Sequence, residues 1–117
     1  MTHVLITGGS RGIGAAAVRA FTKSGNAVTF FYEKNGTEAA RLSEETGAKG
    51  VQCDIADPAA VEAAIASLPP VDILINNAGI TKDTLMLKMT EAEWDAVIAV
   101  NLKGTFNFTQ AAVRPMM

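Results

Sequence analysis

Short apolar runs alternate with amphipathic stretches along this chain, and that alternation admits few folds. His3–Thr7 (HVLIT), Ala27–Tyr32 (AVTFFY), Gly50–Asp54 (GVQCD) and Val71–Asn76 (VDILIN) have the length and apolar content of strands. Between them the periodicity becomes helical. Ile13, Ala17, Ala20 and Phe21 fall on one helix face, and Gly25 is a natural stop. Gly36 to Thr46 reads as a second, more weakly patterned helix closed by Gly47. Asp57-Pro58 supplies an N-cap followed by proline at the first helical position; Val61, Ala64, Ile65 and Leu68 form the buried face, and Pro69-Pro70 ends the helix. Thr90-x-x-Glu93 is a capping box opening a helix with Trp94, Val97, Ile98, Asn101 and Leu102 on one face. Phe108 to Met117 reads as helix without a stop signal. The order is β-α-β-α-β-α-β-α, with no internal repeat or linker. It predicts an α/β fold: a parallel sheet with right-handed crossovers. Strands apolar on both sides imply helices on both faces of that sheet.

Composition narrows the function classes. The 117 residues suit one domain. A net charge of −2 without a Lys/Arg cluster leaves no electrostatic footprint for nucleic acid. No apolar run approaches the roughly 18–20 residues of a membrane span, and the N-terminus lacks the basic segment of a secretory signal. Cys53 is the only cysteine, so neither a disulfide frame nor a metal cluster is expected, and the cytoplasm is the default compartment. Cys53 is expected to behave as a small buried hydrophobe, His3 to be structural or exposed, and Trp94 to anchor its helix. Met86, Met89, Met116 and Met117 read as packing at mobile or interface surfaces.

The strongest local signal is TGGSRGIG, Thr7 to Gly14, lying between the first strand and the first helix. A glycine-rich turn in that place lets a pyrophosphate sit against backbone N–H groups at a helix N-terminus, where a Cβ would block it. The alternative is a turn that merely satisfies strand-to-helix geometry. The spacing is Thr-Gly-x-x-x-Gly-x-Gly. Three more motifs follow in order: CDIAD (Cys53–Asp57) after the third strand, NNAG (Asn76–Gly79) after the fourth, and VNLKGTF, containing Asn101, on the last helix.

In these four motifs the chain resembles the short-chain dehydrogenase/reductase family along essentially its whole length. VDILINNAGITKDTLMLKMTEAEWDAVIAVNLKGTF most resembles the 3-oxoacyl-[acyl-carrier-protein] reductases of fatty-acid synthesis, with acetoacetyl-CoA reductases close by. The resemblance implies a Rossmann-type parallel sheet in strand order 3-2-1-4, with a crevice between the first and fourth strands. It implies that residues 1–117 are the dinucleotide-binding, N-terminal half of a reductase. Gly8, Ser10, Arg11, Gly12, Ile13 and Gly14 would line the phosphate side of the cofactor. Asp54 would accept from the adenine amino group, unless it is a plain helix-approach residue, and Ile55 would pack beside the ring. Asn77, Ala78 and Gly79 would run along the ribose and the middle of the cofactor. Asn101 would be the active-site Asn that helps hold a proton-relay water; as a lone Asn it could equally be structural.

The resemblance also bears on the choice of nicotinamide cofactor. The position that is Asp in NAD-preferring members is here Tyr32, which leaves no carboxylate to repel a 2′-phosphate. Arg11 is a feature of NADP binders, and Lys34 adds charge, so NADP(H) is favoured over NAD(H). Glu33 stands one residue away and would take the ribose role if the register shifts. The implied substrate is a 3-oxoacyl thioester on acyl-carrier protein or CoA. The implied assembly is a homo-oligomer, a tetramer in the full-length family and a dimer or other self-association for this chain. Family members carry a Ser on the next strand and a Tyr-x-x-x-Lys beyond it, the Tyr serving as general acid. Neither occurs after Asn101 here. The expectation is a first half with the cofactor floor present and most catalytic residues absent, enzymatically inactive by itself. The rival expectation is a nucleotide-binding or self-associating module.

Overall fold

A computed structural model of the protein describes residues 1–34, 36–79 and 86–117. Strand β1 (His3–Thr7) leads through the glycine turn into helix α1 (Gly12–Lys23), then β2 (Ala27–Tyr32), α2 (Gly36–Thr46), β3 (Lys49–Gln52), α3 (Pro58–Ala66) and β4 (Ile73–Ile75). A short 3₁₀ turn (Met86–Lys88) precedes a helical arm. That arm consists of α4 (Glu91–Val97), a π-turn (Ile98–Lys103) and α5 (Gly104–Met116). The four strands are parallel and ordered β3-β2-β1-β4. This is the 3-2-1-4 order expected, with its reversal point between β1 and β4.

The sheet sits between two apolar layers because alternate residues of each central strand face opposite sides. Val4, Ile6, Val28 and Phe30 pack with Ala15 and Val18 of α1 and with Ala39 and Leu42 of α2. Leu5 and Phe31 pack on the other face with Val61 and Ile65 of α3 and with Phe108 and Ala112 of α5. The Phe31 and Phe108 rings meet edge-on, with centroids 4.9 Å apart. β1 is buried at every position, as a central parallel strand must be. Among the described residues β4 is the outermost strand on its side, and Ile73 on it is exposed.

The caps follow the sequence. The Asp57 carboxylate accepts from the Ala59 and Ala60 N–H groups ahead of α3, and Thr90 with Glu93 completes the capping box of α4. Four expectations need correction. Ile13 is 81% exposed and Ala20 is also exposed, so α1 meets the sheet through Gly14, Ala15 and Val18. Gly14, lacking a side chain, lies against the Gly8 carbonyl and Asn77, and this seating turns Ala15 and Val18 toward the sheet. Trp94 is 56% exposed rather than a buried anchor, and Leu102 is exposed as well; among the described residues the main contacts of α4 are with the π-turn that follows it. β3 ends at Gln52, short of the predicted Asp54, whose side chain instead accepts from the Ala56 N–H. β4 is three residues rather than six. Ile80 to Leu85 of the loop after NNAG lie outside the described residues.

His3 is structural and buried. Its Nδ1 faces the carbonyls of Pro69 (3.2 Å) and Pro70 (3.1 Å), and its Nε2 lies 2.8 Å from the Thr29 hydroxyl. Carbonyls only accept, so Nδ1 carries a proton and Nε2, in the neutral ring, accepts from Thr29. The His3 backbone N–H donates to Asp72. One side chain thus ties β1, β2 and the turn into β4 together at the base of the sheet. His3→Leu removes this link and strands buried Thr29. It should lower unfolding stability by about 1–3 kcal/mol, read as a lower urea midpoint at unchanged m-value.

Candidate cofactor cleft

The glycine turn is pinned before it can become a helix. The N–H groups of Gly8 and Gly9 both donate to the Phe31 carbonyl on β2, at 2.9 and 3.2 Å. Gly8 has φ +66°, and a Cβ there would lie 2.9 Å from the Ala78 α-carbon. Glycine is therefore required twice, for conformation and for contact. Its carbonyl accepts from Asn77 Nδ2 at 3.1 Å. A Cβ on Gly14 would strike that carbonyl oxygen at 2.0 Å and Asn77 Nδ2 at 2.7 Å. Gly14 thus lets the first turn of α1 close over the Asn77–Gly8 bond. Gly12, at φ +59°, faces open space instead.

Thr7 completes the arrangement. Its buried hydroxyl oxygen accepts from the backbone N–H of both Asn77 and Ala78, each at 3.0 Å. Pairing of β1 with β4 ends at Ile6 and Ile75; beyond that point the Thr7 side chain takes over from backbone carbonyls. Thr7 belongs to the first motif, yet nothing in the sequence singled it out as the residue joining the first motif to NNAG. The signal would have been a hydroxyl at the last position of a strand whose neighbour ends in consecutive polar residues.

Around this junction lies a cleft of about 510 Å³ at the carboxyl ends of the strands. Gly8, Ser10, Arg11 and Gly12 line it after β1, Tyr32, Glu33 and Lys34 after β2, and Cys53 and Ile55 after β3. Asn77, Ala78 and Gly79 line it after β4, with Phe31 and Val100 completing the wall. Nine of the residues singled out from sequence meet here: Gly8, Ser10, Arg11, Gly12, Tyr32, Ile55, Asn77, Ala78 and Gly79. Ile13, Gly14, Asp54 and Asn101 are not on its lining. Ile13 projects outward from the first turn of α1, and Gly14 packs behind it. Asp54 is exposed beside Ile55. Asn101 lies next to the cleft, since a Cβ at Gly79 would come within 3.2 Å of its Oδ1. It sits in the π-turn, where the Thr105 hydroxyl donates to its carbonyl. Such turns often occur at functional sites.

The cleft has the electrostatics of an anion site. Arg11 precedes α1 without a side-chain cap, and the first turn holds no acidic residue, so its N–H groups and the positive helix end stay open to a ligand. Among the described residues of the lining, Arg11 and Lys34 add two cations against one carboxylate, Glu33. Cys53 is buried, and desolvation, with the nearby charges of Asp54 and Asp57, pushes its thiol above the ordinary range. A thiol so placed is a wall residue and a poor nucleophile at neutral pH. A second cleft, of about 560 Å³, lies between α3 and α5 and shares none of these residues.

The sequence pattern of the short chain dehydrogenase family matches residues 2–117. The chain belongs to this family. Members of the short-chain dehydrogenase family bind NAD or NADP and act as oxidoreductases. The chain is 45% identical over 109 residues to an acetoacetyl-CoA reductase of Paracoccus denitrificans, covering 90% of this chain and 45% of the relative. It is 41% identical to the 3-oxoacyl-[acyl-carrier-protein] reductase FabG of Staphylococcus aureus, covering 97% of this chain and 50% of that protein. It therefore spans about half the length of these relatives. Among solved structures, BdcA in complex with NADPH superposes with a TM-score of 0.91 at 39% identity, over 97% of this chain and 46% of BdcA.

Thr7→Val keeps the shape of the side chain and removes the acceptor of two N–H groups. It should cost about 1–3 kcal/mol, and the Asn77 and Ala78 amides should lose hydrogen-exchange protection ahead of the strands.

Proposed function

We propose that residues 1–117 form the dinucleotide-binding half of an NADPH-dependent reductase that converts a 3-oxoacyl thioester, on acyl-carrier protein or CoA, into the 3-hydroxyacyl product in fatty-acid synthesis. One observation carries this reading. The uncapped start of α1, the open space over Gly12 and the two cations Arg11 and Lys34 converge on one cleft, and β2 ends there in Tyr32 rather than a carboxylate. The residues fit the cofactor. Backbone N–H groups of Ser10 to Ile13 would hold the pyrophosphate. Arg11, with Tyr32 and Lys34 opposite, would meet the 2′-phosphate of the adenosine ribose. Ile55 would pack on adenine and Asp54 would accept from its amino group. Asn77, Ala78 and Gly79 would support the middle of the cofactor, with Gly8 and Gly14 holding the floor.

When bound, NADPH supplies the hydride for the ketone carbon. Asn101 lies beside Gly79 on the π-turn, and we assign it the task of holding the water that returns a proton. The likeness to acetoacetyl-CoA reductase and to FabG supports a thioester substrate, and the lone, reduced Cys53 suits the cytoplasm.

A self-associating role is favoured by a separate observation. Trp94, Leu102, Phe106, Val113 and Met116 are all exposed along the helical arm, more apolar side chains than one surface helix normally leaves in water. We assign this arm to a homo-oligomer interface. Phe106→Glu with Leu102→Glu should reduce the sedimenting mass of the complete protein, while circular dichroism keeps the parent spectrum.

The cofactor reading has its own test. In the complete protein, Arg11→Ala should weaken NADPH more than NADH, by about 1–3 kcal/mol for a lost charge-assisted contact. Saturating NADPH should also slow alkylation of Cys53, followed by peptide mapping, because Cys53 lies on the cleft wall. Equal loss for both cofactors would remove the 2′-phosphate assignment. Unchanged alkylation would remove the cleft itself.

A further inference from the structure

We propose that Asn107, a residue outside the cofactor cleft, is a positioning residue for its adenine end and acts by holding the carbonyl of Ile55. This inference rests on the reading of the cleft as a dinucleotide site.

Ile55 is a wall of the cleft, yet the sheet does not hold it. Pairing of β3 with β2 stops at Gln52 opposite Tyr32, followed by one further bond from the Cys53 N–H to the Tyr32 carbonyl. Among the described residues, the turn beyond is held locally, through the Asp57 N–H to the Asp54 carbonyl and the Ala56 N–H to the Asp54 carboxylate, with the Asp57 side chain capping α3. What grips Ile55 is α5. Gly104 comes so close that a Cβ there would lie 2.8 Å from Ile55 Cδ1. One turn later Asn107, only 5% exposed, donates from Nδ2 to the Ile55 carbonyl at 3.0 Å. The first contact fixes the side chain of Ile55, and the second fixes its backbone. A buried carbonyl that loses its donor turns to find another. Rotation of the Ile55 peptide would move its side chain off the face that adenine needs.

The same helix supports the cleft at two further points. Phe108 meets Phe31, which lines it, and the π-turn immediately before Gly104 brings up Val100 and places Asn101 beside Gly79. Asn107 itself lines the separate cleft between α3 and α5. It therefore touches no cofactor, and its effect runs through Ile55.

The test uses the complete protein, with Asn107→Leu, which keeps the bulk and removes the donor, and Asn107→Ser, which keeps a shorter donor. Adenosine 2′,5′-bisphosphate, a probe of the adenine end alone, and NADPH are titrated calorimetrically beside steady-state kinetics. Asn107→Leu should weaken both ligands roughly 10-fold, the change that corresponds to one neutral hydrogen bond. The KM for NADPH should rise while kcat and the KM for the thioester stay at the parent values. Asn107→Ser, the milder change, should fall between the parent and Asn107→Leu, and it serves as the measurement if the leucine variant does not fold. Folded variants that bind the bisphosphate as tightly as the parent overturn the role of Asn107 alone. So do variants that lose kcat with affinity intact. A parent protein that binds neither ligand overturns the cofactor reading beneath it.

Discussion

The carbonyl oxygen of Gly8 is where three segments of the chain meet, and the cleft exists because they can. Asn77 from the end of β4 donates to it, and Gly14 from the first turn of α1 lies against it at a distance that only a hydrogen side chain permits. The Gly8 N–H is held by Phe31 of β2. The neighbouring Thr7 hydroxyl catches two N–H groups of the NNAG segment. A polar group buried at such a junction must be paired, and each of these pairs also fixes the position of a chain end. The strands could stack without this junction, but β1 and β4 would then part at the end where the sheet order reverses, and no shaped opening would remain for a ligand.

Two supports stand behind that opening, one on each face of the sheet. On one side α1 and α2 cover Val4, Ile6, Val28 and Phe30, and this layer presents the uncapped N-terminus of α1. On the other, α3 and α5 cover Leu5 and Phe31, and α5 reaches beyond the sheet to the turn carrying Ile55. The positive helix end and the two cations sit on the first side, and the apolar wall on the second. A ligand anionic at its phosphates and flat at its base matches that division. Arg19 and Glu45, paired at 2.7 Å between α1 and α2, are about half exposed and add little to stability. Their hydrogen bond holds the Glu45 carboxyl below its ordinary pKa and the Arg19 guanidinium above its own, so both charged forms are favoured, without touching the cleft.

Strands β1 and β2 and helix α2 were legible to the residue, because apolar runs bounded by glycine or polar turns leave no second register. The caps of α3 and α4 were legible for a local reason as well, since Asp57, Thr90 and Glu93 bond within three residues of themselves. Faces were less legible. Ile13 and Trp94 fit a helical repeat that periodicity alone assigns to a core, but both point to solvent here. Periodicity gives the width of an apolar stripe. It does not say which edge of the stripe meets the sheet, and at α1 the close approach at Gly14 decides that.

The sequence by itself determined the alternation of elements, the parallel sheet and the glycine turn, because each rests on contacts between residues near in the chain or on a pattern repeated along it; the other motif residues of the cleft were named only through their resemblance to a known family. Only the tertiary structure decided that Thr7 holds NNAG, that His3 locks the base of the sheet, that the last helix widens into a π-turn at Asn101, and that Asn107 reaches Ile55. These bonds join residues 26 to 71 positions apart, or depend on how a helix is seated against its neighbours. A one-dimensional pattern carries no record of such distances. They are fixed when buried donors and acceptors, brought together by the packing of apolar faces, must find partners out of water.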